Sequence, residues 1–137
     1  MILKVFTDGG SKGNPGPSSI GGVGYLDGKK VFDFKKSIGI ATNNDAEYKA
    51  LIEALSNIKD PAFVKTTAGK QISKIEFNSD SKLMVNQVRG LFKVKNEKIK
   101  EYMLTIRGLE QEINLPISYH YVPREQNIEA DLLVNSV

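Results

Sequence analysis

The sequence has no cysteine and one histidine. Without cysteine there is neither a disulfide nor a thiolate metal site. One imidazole, His120, cannot build a zinc centre that needs several. No apolar run approaches the roughly 18–20 residues of a membrane-spanning helix, so no membrane association is expected. The opening stretch MILKVFTDGG lacks a charged segment followed by a long apolar one. No secretory leader is therefore expected, and the cytoplasm is the expected compartment. Repeats, low-complexity tracts and linkers are also missing. The 137 residues thus predict a single domain over 1–137 with one core. An apolar fraction of 40% and a charged fraction of 26% are those of an ordinary globular chain.

The net charge is +3, a modest excess that favours a polyanionic partner. Lys93, Lys95, Lys98 and Lys100 cluster after a glycine, and Lys29, Lys30, Lys35 and Lys36 line another segment. Singly, each reads as a solvated surface charge. Together they gain meaning only beside a site that handles phosphate.

Residues 2–7, 20–26 and 30–38 read as strands. The last two are joined at Asp27-Gly28, a strong hairpin signal, and 11–19 is a loop rich in Gly, Pro and Ser. The period then becomes helical. Asn44 is a candidate N-cap, with Glu47 three residues on as in a capping box, and Ala50, Leu51, Ala54, Leu55 and Ile58 form the apolar stripe. Asp60-Pro61 stops this helix, and 61–71 shows no clear period. A strand at 72–78, helices at 81–89 and about 96–113, a strand at 117–122 and a terminal helix capped by Asn127 complete the chain. A three-stranded antiparallel meander followed by strand–helix alternation predicts an α/β fold: a mixed five-stranded sheet with helices on both faces.

Four carboxylates stand where acids are hardest to explain by structure alone. Asp8 and Asp80 end apolar strands, Glu47 shares the apolar face of its helix, and Asp131 opens the terminal helix. Each has a bland reading: Asp8 caps a turn, Glu47 completes a capping box, Asp80 is an N-cap, and Asp131 is a favourable first-turn acid. Together they offer what a hard divalent cation requires, several carboxylate oxygens plus substrate phosphate. In open sheets, sites lie beyond the carboxyl ends of strands, where Asp8 and Asp80 sit. The run Gly13-Asn14-Pro15-Gly16 lacks the pattern of a nucleotide-phosphate cradle and opens no helix.

FTDGGSKGNPGPSS, TNNDAEYKAL, NSDSKLMVNQVRG and VPREQNIEADLL, in this order and each carrying one acid, resemble the motifs of ribonuclease H type 1. The resemblance spans nearly the whole chain. It implies a ribonuclease H-like fold and an endonuclease that hydrolyses the RNA strand of an RNA–DNA hybrid, leaving 5′-phosphate and 3′-hydroxyl ends. It also implies two Mg²⁺, for which Mn²⁺ substitutes, with Asp8, Glu47, Asp80 and Asp131 as catalytic metal ligands. Asp8 would bridge the ions, Glu47 and Asp80 would favour the leaving group, and Asp131 the nucleophile. Gly9, Gly10, Ser11, Asn14, Asn43, Asn44, Ser81 and Lys82 match hybrid-contact positions, and Thr42 a position that binds a DNA-strand phosphate. No small-molecule cofactor is implied, and a monomer is expected.

Three departures are visible. The histidine-bearing loop of many members is replaced by VPREQNIEAD, as in a subgroup with a VPRE segment, which leaves Arg124 or Glu125 as possible assisting residues. His120, inside a strand, reads as structural. Lys82 stands where many members carry Gln, and neither the long basic insertion nor a second hybrid-binding domain is expected. The alternatives are a non-catalytic hybrid-binding module and a broader duplex ribonuclease on the same fold.

Overall fold

The first three strands form the predicted antiparallel meander, and they are longer than their alternation indicates. The computed structural model describes residues 1–67 and 71–137. Strands β1 (Ile2–Ser11), β2 (Gly16–Leu26) and β3 (Lys29–Ala41) run antiparallel. Leu26 pairs with Lys29 across Asp27-Gly28, both at positive φ (53° and 77°), as a two-residue hairpin turn requires. Much of the segment expected as loop is paired, with Ser11 opposite Ser18 and Gly10 opposite Ser19. Cross-strand pairing here overrides the local preference of Gly, Pro and Ser for turns.

Strands β4 (Lys74–Ser79) and β5 (Ile117–Tyr121) add in parallel to give the order β3-β2-β1-β4-β5. This is the expected mixed five-stranded sheet, with β1 at its centre.

The helices are α1 (Asn43–Lys59), α2 (Pro61–Thr66), α3 (Lys82–Val88), α4 (Glu97–Ile113) and α5 (Ile128–Asn135). Three expectations are corrected. The cap of α1 is Thr42, not Asn44, and its capping box closes on Asp45, not Glu47. Segment 61–71 is not free of structure: α2 occupies its first six residues, with Phe63 buried edge-on to Phe32 at 5.7 Å. Proline is tolerated at the first helical position, and one turn is too short to show a period. Residues 68–70 of that segment lie outside the described residues. Asn127 does not cap α5 with its side chain, which instead donates to the carbonyl of Thr7 at 2.9 Å.

Alternation along β1 sends Leu3 and Val5 into the main core with Leu51 and Leu55 of α1 and Ile99 and Ile106 of α4. Met103, Leu109 and Ile113 of α4 pack against it. The other face carries α5, which packs on β1 and β2. Two glycines permit close approach. A Cβ at Gly9 would lie 2.3 Å from the carbonyl carbon of Ala46 in α1. One at Gly21 would lie 2.9 Å from Cβ of Leu133 and 3.0 Å from the carbonyl oxygen of Ala130 in α5.

Gly21→Ala should therefore lift α5 and lower stability by about 1–3 kcal/mol, the usual cost of overpacking. Thermal denaturation measures this, and an unchanged melting temperature would show that α5 does not depend on the glycine.

Candidate active site

Sheet register brings the first two acids together. Thr7 pairs with Ser79 in the parallel β1–β4 ladder, so Asp8 and Asp80 follow at the same end of adjacent strands. Asp8 also faces Gly21 across the β1–β2 pair. With no side chain there, α5 settles on β2 and brings Asp131 close enough for its negative charge to act on the Asp8 carboxyl. Glu47 comes from the opposite side of the sheet. It is held by the N–H of Gly9, which donates to Glu47 Oε1 at 2.8 Å and to Asp8 Oδ1 at 3.0 Å. Ligand oxygens of Asp8, Glu47 and Asp80 all lie within 4.8 Å of one another. Asp131 joins through Asp8 and stands outside that tighter set.

The capping readings of these acids fall with the geometry. Asp45 closes the box on α1, and Ser81, not Asp80, caps α3 by accepting from the N–H of Met84. Glu47 cannot complete a box because its carboxylate is committed to Gly9 on β1.

Asp8 and Glu47 are buried, at 7% and 9% exposure. Burial, then the negative charges of Asp80 and Asp131, push the Asp8 carboxyl up to about 7. Burial, then Asp8 and Asp80, push Glu47 well above its ordinary value. Asp80 is raised chiefly by burial, partly opposed by the Arg124 guanidinium. An all-oxygen set of crowded, partly desolvated carboxylates fits a hard divalent cation, which removes the repulsion that raises these values.

The acids floor an open cleft of about 410 Å³ whose rim includes Ser11, Lys12, Asn43 and Arg124. Ser11 N–H donates to Asn43 Oδ1 and Asn43 N–H to Asn14 Oδ1, each at 2.9 Å, so three expected contact residues form one chain of hydrogen bonds. Thr42 caps α1 beside them, and Asn44 follows in its first turn. Gly10 lines the cleft next to Val134 of α5. Ser81 and the exposed Lys82 open α3 immediately after Asp80. Arg124 donates to Asp131 Oδ1 at 3.3 Å, and Asn135 donates to the same oxygen at 3.2 Å. Glu125 is not brought in. It lines a separate cleft with Phe6 and Tyr25. His120 is also outside, on β5, 2.8 Å from Ser118 Oγ and 3.6 Å from Glu76.

Sequence reasoning missed four supporting residues. Asn127, 1% exposed, ties the start of α5 to β1 next to Asp8. Its spacing of four before Asp131 resembles a cap and hides that role. Asn135, four residues after Asp131, was legible only as a helix position. Lys12 and Ser19, which also line the cleft, carried no signal of their own.

A family model described as reverse transcriptase-like matches residues 6–137. The chain is 37% identical, over 98% of its length, to a bifunctional protein of Mycobacterium tuberculosis, of which it spans 35%. It is 36% identical to the ribonuclease HI of Halobacterium salinarum over 97% of this chain and 62% of that protein. Among solved structures, LC11-RNase H1 in complex with an RNA/DNA hybrid superposes with a TM-score of 0.87 at 36% identity, covering 98% of this chain and 95% of that one.

The raised carboxyls set a pH dependence for the metal-free protein. Asp8 keeps its proton in the folded state up to about pH 7 but loses it near the ordinary 3.8 when unfolded. Between those values the folded state binds the extra proton, so stability falls as pH rises from about 4 through about 7. Asp8→Asn should flatten that slope. At pH 8 in EDTA it should raise stability by at least about 1.4 kcal/mol, the equivalent of one pKa unit. Denaturant melts across pH measure both, and equal slopes for the two proteins would contradict the assignment.

Proposed function

We propose, because the chain belongs to the ribonuclease H type 1 family, that it is an endoribonuclease cleaving the RNA strand of RNA–DNA hybrids to 5′-phosphate and 3′-hydroxyl ends. The observation that carries this reading is the convergence of Asp8, Glu47 and Asp80 within 4.8 Å at the carboxyl ends of two parallel strands, with Asp131 joined through Asp8. A module that only binds nucleic acid gains nothing from negative charges facing phosphate.

In this reading Asp8 would be shared by two Mg²⁺, for which Mn²⁺ would substitute, with Glu47, Asp80 and Asp131 as the other ligands. Glu47 and Asp80 hold the leaving-group side and Asp131 the nucleophile side. When bound, the two cations supply an activated water and neutralise charge developing on the leaving 3′-oxygen. The protein's own groups orient the ligands. Gly9 N–H fixes Glu47, and Asn135 and Arg124 fix Asp131.

Arg124 stands where the assisting residue is expected. Its guanidinium, exposed at the rim of the cleft, would be within reach of a scissile phosphate there. Gly10, Ser11, Asn14, Asn43, Asn44 and Ser81 present amides, hydroxyls and backbone groups to the minor groove, where a 2′-OH both donates and accepts. The Thr42 hydroxyl, while its oxygen accepts from Asp45 N–H, keeps its own proton for a DNA-strand phosphate. Lys82 meets phosphate, not a base edge. The domain acts as a monomer and belongs to the subgroup without the histidine loop.

The test is cleavage of an end-labelled hybrid beside matched RNA–RNA and DNA–DNA duplexes, in Mg²⁺, Mn²⁺ or EDTA. Metal-dependent cutting of the hybrid's RNA strand is expected. Asp80→Asn should lower it by at least about 10³-fold, the scale of losing several kcal/mol of charge stabilisation, with folding retained. Full activity in that variant would overturn the site. Cutting of RNA–RNA as well would move the reading to a broader duplex ribonuclease. His120→Ala should keep most of the rate, and a loss of about 100-fold, typical of removing an acid–base group, would place the histidine in the chemistry after all.

A further inference from the structure

Asp45 is an acid that the metal site does not use. It lies two residues before Glu47 in α1 and is 8% exposed. As the third residue of the helix it could close its capping box from a solvated position, as such acids usually do. Here it is covered by α4, and its carboxylate serves three partners. Oδ2 accepts from the N–H of Thr42 at 3.3 Å and sits 3.5 Å from Lys98 Nζ, while Oδ1 accepts from the hydroxyl of Tyr102 at 3.2 Å. Burial alone would raise its pKa, yet the bonds from Thr42, the charge of Lys98 and the Tyr102 hydroxyl outweigh it and hold the group ionised.

The Tyr102 ring stacks on Tyr48 of α1 at 5.7 Å and 20°. The Tyr48 hydroxyl in turn donates to Gln87 of α3 at 2.8 Å. A single half-buried network therefore joins the turn at 42–44, the start of α4, and α3, which begins at Lys82. The proposed function gives the turn and the start of α3 to the substrate, and the lysine cluster at 93–100 runs into the start of α4. The acids are not members of the network: Glu47 accepts from Gly9, and Asp131 from Asn135 and Arg124.

We infer that Asp45 is a positioning residue for substrate binding, tying the Thr42–Asn44 turn to α4 so that the turn and the lysines at 93–100 meet one hybrid at a fixed separation. The inference rests on the reading that this turn touches the hybrid. Loosening the tie costs the free protein order that it must recover on binding, so the loss falls on KM and not on kcat.

The experiment is steady-state cleavage of an RNA–DNA hybrid in Mg²⁺ by the full chain carrying Asp45→Asn, Tyr102→Phe or Asn44→Ala, with far-UV circular dichroism to confirm folding. Asp45→Asn should raise KM roughly tenfold, the scale of one hydrogen bond to a charged group, with kcat within about twofold. Tyr102→Phe keeps the ring stack and the charge, and should raise KM by a few fold in the same direction. It carries the test if Asp45→Asn fails to fold.

The sign discriminates between explanations. Asp45→Asn makes the protein more positive, so a purely electrostatic role lowers KM for a polyanion. An unchanged or lowered KM in both variants, with Asn44→Ala still raising it, overturns the inference and leaves the turn as a contact. If Asn44→Ala leaves KM unchanged, the turn is not a contact, and the inference falls with that reading whatever Asp45→Asn does.

Discussion

Mutual repulsion among carboxylates gathered on Asp8 is the constraint around which this fold is arranged. Asp8, Glu47 and Asp80 lie within 4.8 Å of one another, and Asp131 adds to the field on Asp8. Such a cluster opposes folding at neutral pH, so the scaffold must hold it by other means. It does so with backbone proximity. α1 rests on Gly9 from one face and α5 on Gly21 from the other, at distances that no side chain would allow. Burial in the sheet centre makes the repulsion sharper and the attraction for a divalent cation correspondingly stronger.

The molecule separates holding the acids from holding the surroundings of the cleft. Glu47 is fixed by a direct hydrogen bond from Gly9, and Asp131 by direct bonds from Asn135 and Arg124. The outer turn at 42–44 is fixed by a longer route through Asp45, Tyr102, Tyr48 and Gln87 to α4 and α3. A site built in this way can keep the spacing of its acids while the rim of its cleft is set by residues outside the cluster.

Legibility in the sequence followed the strength of the physical signal. The β2–β3 hairpin, α4 and the alternation of later elements carry long periods or a definite turn pair, and they appear where expected. The start of α1 was misread by two residues because two overlapping polar-to-acid pairs, Thr42 with Asp45 and Asn44 with Glu47, have the same spacing. Only the bond from Gly9 to Glu47 decides between them. The helix at 61–66 was missed because Asp60-Pro61 reads as a stop, and what supports the turn is Phe63 packing on Phe32, a contact across the chain. Asn127 has the spacing of a cap, yet its side-chain amide reaches 120 residues back to the carbonyl of Thr7.

The sequence by itself determined the order of the strands and of the helices other than α2, and singled out the four acids, because strand ends, apolar faces and motif order are local properties. It also carried the lysine clusters and the absence of thiol or multi-histidine chemistry. Only the tertiary structure decided that Asp131 joins the cluster through Asp8 and that Arg124, not Glu125, reaches it. The same holds for the chain of Ser11, Asn43 and Asn14, and for the buried tie of Asp45 to α4. Those outcomes depend on strand register and on how closely helices settle on two glycines. Except for Arg124 and Asp131, seven residues apart, they are relations between residues distant in the chain, and no short window of sequence contains both partners.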